Sequence, residues 1–197
     1  MNAGPRLIFL AGPNGAGKST FYEAYLKALG LPFINADQLT VTLGIPNDEA
    51  ARAADRLRRE LVENRQSFIT ETVFSDPVGA KLEFLQQAMA AGYQVTLLYI
   101  GISDAELSEA RVFGRVQRGG HDVPSERLAR RFEQSLKNLA AALLLVSEAT
   151  VFDNSSAEHP FRLVLTTKSG EVVQTAGKLP AWLKHALTGS RLLSGKP

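Results

Sequence analysis

The chain has 197 residues, enough for one domain with a sizeable core, and its 45% apolar and 21% charged residues are the balance of an ordinary globular protein. It contains no cysteine, which excludes a disulfide framework, a thiolate metal site and a cysteine nucleophile. The net charge of +2 is mild, and a few arginines at a phosphate site account for it as well as a nucleic-acid partner would.

Arg6 to Ala11 reads as a short buried strand stopped by glycine, and its apolar run is too short for a signal-peptide core. A helix follows from about Lys18 to Leu29 and closes at Gly30. Pro32 to Asn35 is a second strand, and Asp37 to Leu43 a short helical turn. Pro46-Asn47-Asp48 opens a helix that runs to about Asn64, and Ser67 to Thr72 is the third strand. Ser75-Asp76-Pro77 is expected to cap a helix ending near Gly92. Gln94 to Ile100 is a deeply buried strand, followed by a helix from Ser103 to about Gln117. A loop with Gly119-Gly120 and Pro124 leads to a long helix, Ser125 to Ser147, whose Leu128, Phe132, Leu136, Leu139, Leu143 and Val146 follow helical spacing. Thr150 to Asp153 is the fifth strand, and Phe161 to Thr167 with Glu171 to Thr175 read as a hairpin. A last helix spans about Pro180 to Leu187, with Trp182 as a packing anchor. The expected domain is residues 1–187, with 188–197 a loose tail. The longest apolar stretch, Leu139 to Val146, falls far below the roughly 20 residues of a membrane span, so a cytoplasmic protein is expected.

Strands alternating with helices predict an α/β fold: a doubly wound, mostly parallel five-stranded sheet with helices on both faces and a C-terminal β-hairpin. In such sheets ligands bind beyond the carboxyl ends of the strands. There lies Gly12-Pro13-Asn14-Gly15-Ala16-Gly17-Lys18-Ser19, the P-loop pattern, directly after a strand and before a helix. The glycines let backbone N–H groups wrap phosphates, Lys18 can reach the β- and γ-phosphates, and the Ser19 hydroxyl can ligate Mg²⁺. Gly12 through Thr20 are therefore the expected nucleotide contacts.

Three further groups separate a kinase from a bare nucleotide binder. Asp37, in Asn35-Ala36-Asp37 just beyond the second strand, is either the base that accepts a substrate hydroxyl proton or the cap of its helix. Glu71 interrupts a strand-like run, and a buried acid requires a partner: a cation, a metal-bound water, a substrate hydroxyl or an arginine. Arg111, Arg115 and Arg118 fall on one helical face, and Arg127, Arg130 and Arg131 open the next helix beyond the Gly119-Gly120 turn. Residues 111–131 thus read as a hinged arginine lid over polyphosphate, the alternative being a solvated basic face or one bound to nucleic acid. His121 would bind phosphate or cap the turn, and Asp153-Asn154 would lie by the adenine or form a plain turn.

The P-loop, Asn35-Ala36-Asp37, Glu71-Thr72, Arg115-Val116-Gln117-Arg118-Gly119-Gly120-His121, Arg130-Arg131-Phe132 and Asp153-Asn154 together resemble the zeta toxin family of P-loop kinases, in its short, single-domain bacterial branch. The resemblance covers roughly residues 5 to 175, though the third strand ends in Glu-Thr-Val where the longer plasmid-type toxins have Glu-Gly-Thr. It implies transfer of the γ-phosphoryl group of ATP or GTP, with Mg²⁺, to the sugar 3′-hydroxyl of UDP-N-acetylglucosamine or a related UDP-sugar, under restraint by an antitoxin protein. It further implies Lys18 and Ser19 for nucleotide and Mg²⁺, Asp37 as base, and Glu71 and Thr72 as substrate contacts with Asn35 alongside. Arg118 and Arg131 would act on the transferring phosphoryl group, with Arg115 in reserve on the substrate side. The competing readings are a kinase of another small hydroxyl compound, such as an antibiotic or nucleoside, and a nucleic-acid-associated ATPase. Phe113 is the one aromatic residue among the arginines of residues 111–131, fewer than the ring stacking of single-strand binders usually involves, which counts against the last.

Overall fold

The computed structural model describes residues 4–116 and 125–194. Strand β1 (Arg6–Ala11) is central, with β3 (Phe68–Thr72) on one side and β4 (Gln94–Gly101) on the other, all parallel. β2 (Phe33–Ile34) pairs with β3, and β5 (Glu148–Asp153) with β4, again in parallel. The expected hairpin, β6 (Arg162–Lys168) and β7 (Glu171–Thr175), adds antiparallel to β5. Five parallel strands and the hairpin therefore make one seven-stranded sheet in the order β2-β3-β1-β4-β5-β6-β7. The hairpin continues the ladder because β5 would otherwise present an open edge.

Alternation along the strands sets what each face meets. Phe9, Leu97, Tyr99 and Val151 share one face by register. There the Tyr99 hydroxyl pairs with Ser135 Oγ at 2.9 Å, on helix α6 (Ser125–Leu145). Trp182, on helix α7 (Ala181–Ala186), lies against Tyr99 and so close over Gly101 that any Cβ there would come within 2.2 Å of the indole. The opposite face, with Leu10 and Phe152, is covered by α1 (Lys18–Phe21), whose Phe21 ring sits 5.1 Å from Phe152. The helix expected to run unbroken to Leu29 instead widens into a π turn at Tyr22–Leu26 and tightens into a 3-10 turn at Lys27–Leu29. Two adjacent rings are packed in different places: Phe21 on Phe152 and Phe161, and Tyr22 stacked 3.6 Å from Phe33. Successive residues of a regular α-helix point about 100° apart, and a widened turn accommodates both contacts.

The remaining helices are α2 (Ala36–Leu43), α3 (Asn47–Glu63), α4 (Ala80–Ala90), α5 (Ala105–Val116) and the terminal α8 (Arg191–Ser194). The start expected at Ser75-Asp76-Pro77 is displaced: α4 begins at Ala80 behind a left-handed Gly79, while Asp76 Oδ2 accepts the Lys81 N–H at 3.2 Å. No helix among the described residues is long and apolar enough to cross a membrane.

Candidate active site

The loop after β1 turns where side chains are forbidden. Gly12 (φ 146°) runs so close to β4 that a Cβ would lie 2.1 Å from the Ile100 carbonyl oxygen. Gly15 (φ 69°) and Gly17 (φ 94°) adopt left-handed backbone conformations that glycine takes without strain. The carbonyls of the loop are held by four side chains. Pro13 O accepts from Lys18 Nζ at 3.0 Å, Asn14 O from Ser108 Oγ at 2.8 Å, Gly15 O from Arg111 at 3.4 Å, and Ala16 O from Asn154 Nδ2 at 2.8 Å. Braced in this way, the loop leads into the first turn of α1, whose N–H groups have no intrahelical acceptor and suit an anion.

Glu71 lies beside the loop because register places it on the α1 face of the sheet, opposite Leu10. Its carboxylate accepts from Asn35 Nδ2 at 2.9 Å and from Ser19 Oγ at 3.3 Å, with Lys18 Nζ at 3.9 Å. The buried acid therefore has a lysine, a hydroxyl and an amide as partners, and no arginine side chain among those contacts. Burial pushes the Glu71 carboxyl above the usual range, Lys18 pulls it down, and the charge of Asp37 pushes it up again. An acid whose folded pKa is raised stabilises the protein most below its ordinary pKa and loses that contribution as pH rises through the folded value. Glu71→Gln is accordingly expected to melt above the wild type near about pH 8, with the gap closing toward about pH 4. A thermal-shift pH series checks this, and a gap that stays constant with pH refutes it.

Ser19 and Glu71 supply oxygen donors, the class that Mg²⁺ takes. Among the described residues no group of three or more His, Asp or Glu side chains forms a metal cage. A cation shared between one or two protein oxygens and phosphate oxygens needs none, so the donor set fits Mg²⁺ bound with a nucleotide.

Asn35 settles which residue caps α2. Its Oδ1 accepts the N–H groups of Asp37 at 2.8 Å and Gln38 at 3.3 Å, so Asp37 is not the cap. Asp37 lines a cleft of about 1090 Å³ together with Lys18, Ser19, Glu71, Arg130 and Arg131. Burial and the neighbouring Arg127 and Arg130 press the pKa of Arg131 down, while Asp37 raises it, which places Arg131 within electrostatic reach of that carboxylate. Thr72 also lines the cleft, its hydroxyl accepting the Phe74 N–H at 3.2 Å. The Arg115 side chain and all of Arg118, Gly119, Gly120 and His121 lie outside the described residues.

Two supports escape a reading of the sequence. Arg58, buried on α3, donates Nε to Thr70 Oγ1 at 2.6 Å and reaches the Glu71 carbonyl at 3.4 Å, bracing the end of β3. Its place in a run of charged residues, Asp55-Arg56-Leu57-Arg58-Arg59-Glu60, conceals it. Ser108 carried no signal, whereas Arg111 was visible as a lid cation and proves also to touch the loop backbone. Asp153 and Asn154 act within the frame: Asp153 accepts from Trp182 Nε1 at 3.1 Å and pairs with Arg162 at 3.0 Å, while Asn154 holds Ala16.

The family model described as AAA domain matches residues 7–142. An uncharacterised protein of Haemophilus influenzae is 28% identical over 132 residues, covering 64% of this chain and 92% of its own. Among solved structures, AvrRxo1-ORF1:-ORF2 with ATP superposes with a TM-score of 0.67 at 19% identity, over 87% of this chain. The chain spans only 60% of that protein's chain. A structure from the PezAT chromosomal toxin–antitoxin system of Streptococcus pneumoniae gives a TM-score of 0.65 at 17% identity, covering 98% of this chain and 88% of the other. At these identities the likeness is one of fold alone.

Proposed function

We propose that this chain, which belongs to the AAA domain family, is a kinase that moves the γ-phosphoryl group of ATP or GTP onto a hydroxyl of a UDP-sugar of the UDP-N-acetylglucosamine class. The observation that carries this reading is one cleft joining Lys18, Ser19 and Glu71 at the phosphate loop to Asp37 and Arg131 on the facing side. A phosphate-binding floor facing a carboxylate and a cation is the arrangement phosphoryl transfer needs.

Lys18 and the loop N–H groups would hold the β- and γ-phosphates, and Ser19 and Glu71 would hold the metal. Mg²⁺, when bound, would supply positive charge that offsets the negative charge of the phosphates. Asp37 would accept the proton of the sugar hydroxyl as that oxygen forms its bond to the γ-phosphorus and the bond to the β-phosphate oxygen breaks. Arg131, joined by Arg118, would stabilise charge on the transferring group. Thr72, Asn35 and Arg115 would serve the acceptor side, Asn35 acting through the carboxylate of Glu71 that it holds. The choice of a UDP-sugar is supported by the resemblance of the Asn35-Ala36-Asp37, Glu71-Thr72 and arginine segments to zeta toxins. The fold shared with a toxin–antitoxin structure supports an antitoxin protein as a partner.

The test is mass spectrometry of a UDP-sugar panel incubated with the protein, Mg²⁺ and ATP, with Lys18→Ala as blank. One added phosphate on UDP-N-acetylglucosamine is the expected result. No gain on any UDP-sugar, with ATP binding intact, overturns the acceptor and leaves another small hydroxyl compound in its place.

A further inference from the structure

The turn between β3 and α4 is strained. Phe74 has φ 61°, a left-handed conformation unfavourable for an aromatic residue, although its ring is fully buried and packs edge-on 5.4 Å from Phe9. Such a conformation persists only where the surroundings over-determine it. Two side chains do so. Thr72 Oγ1 accepts the Phe74 N–H, and Asn138, buried on α6, donates Nδ2 to the carbonyls of Phe74 at 2.9 Å and Asp76 at 3.1 Å. Asn138 Oδ1 accepts from Gln134 Nε2 at 3.0 Å, which turns the amide so that its NH₂ faces the turn. Arg130, Gln134 and Asn138 recur every four residues, one face of α6, and the first two line the cleft. Thr72, Phe74 and Asp76 line it from the other side.

We infer that Asn138 is a positioning residue, which pins the β3–α4 turn to α6 and so sets the width of the acceptor half of the cleft. Its functional half rests on the kinase reading above; its structural half does not. Without the two donated bonds, Phe74 is free to relax toward negative φ, carrying Thr72 and Asp76 away from Arg130 and Arg131. Displacements of about 1 Å at a reacting site are enough to lower turnover severely. The phosphate loop has its own braces, in Ser108, Arg111 and Asn154, so nucleotide binding is insulated from this clamp.

The experiment compares Asn138→Asp, which keeps the shape and removes both donors, with Gln134→Ala, at a half-buried site where folding is not threatened. Hydrogen exchange of the ligand-free protein is expected to quicken over residues 73–77 by about tenfold in Asn138→Asp and by less in Gln134→Ala, with the phosphate-loop peptide unchanged. With the acceptor found by the UDP-sugar panel, Asn138→Asp is expected to raise the acceptor KM about tenfold and leave the ATP KM within about twofold. Unchanged exchange in the turn overturns the clamp, and should Asn138→Asp fail to fold, exchange in Gln134→Ala decides it. Quickened exchange with both KM values rising together overturns the positioning role and leaves a structural one. If the wild type phosphorylates nothing in the panel, the kinase reading fails by itself while the exchange measurement still decides the clamp.

Discussion

With Lys18 replaced by alanine, phosphoryl transfer is expected to fall by about a thousandfold or more. The ammonium is buried at the base of the loop, 3.0 Å from the Pro13 carbonyl and 3.9 Å from Glu71, so its position is fixed before a nucleotide arrives. A cation held in a place shielded from water acts on developing phosphate charge without reorganising. Arg111 also lines the cleft, but its guanidinium is spent on the Gly15 and Ser155 carbonyls. The fold is expected to survive, since Glu71 keeps its bonds from Ser19 and Asn35. Lys18→Arg is not expected to rescue, because a planar, forked guanidinium does not replace a compact ammonium in a buried slot. ADP release measured with acceptor, beside calorimetric titration of ATP, reads both consequences. Transfer at even a tenth of the wild-type rate in Lys18→Ala would remove the lysine from the mechanism.

Asp37→Asn is expected to lower kcat by about 10² to 10⁴ while leaving ATP affinity unchanged, the range associated with loss of a positioned general base. The substitution leaves the α2 cap in place, because Asn35, and not Asp37, supplies it. Loss of the charge also removes one influence that raises the Glu71 pKa and the one that supports Arg131. A single-turnover measurement at saturating ATP isolates the chemical step from these effects on binding. Wild-type single-turnover rates in Asp37→Asn would show that the acceptor hydroxyl loses its proton elsewhere.

Much of this architecture was legible in the order of residues. The P-loop could be read because its chemistry is local: glycines at positive φ, a lysine and a serine lie within eight consecutive positions, and only a strand-to-helix junction accommodates them. The five parallel strands could be read because each is a short apolar run bounded by polar or turn-forming residues. The extension of the sheet through β6 and β7 was not legible, since a hairpin's own alternation is indifferent to whether it pairs with β5. The irregular winding after Phe21 was also hidden, because it answers to Phe152 and Phe161, far off in sequence, as well as to the nearer Phe33.

The same division runs through the site. Glu71 announced itself as an acid in an apolar strand, but its partners follow from parallel register with β1, which aims it at Lys18 and Ser19. Asp37 was visible with two roles open, and Asn35, by taking the cap, closed one of them. Arg58, Ser108 and Asn138 gave no sign, because a polar residue on a helix declares nothing until the fold buries it against specific carbonyls and hydroxyls. By itself the sequence determined which groups suited to phosphate lie together, since those groups are chemically distinctive and close along the chain. Only the tertiary structure decided what holds them in place, because hydrogen bonds and desolvation act through distances of a few ångströms that chain separation does not reveal.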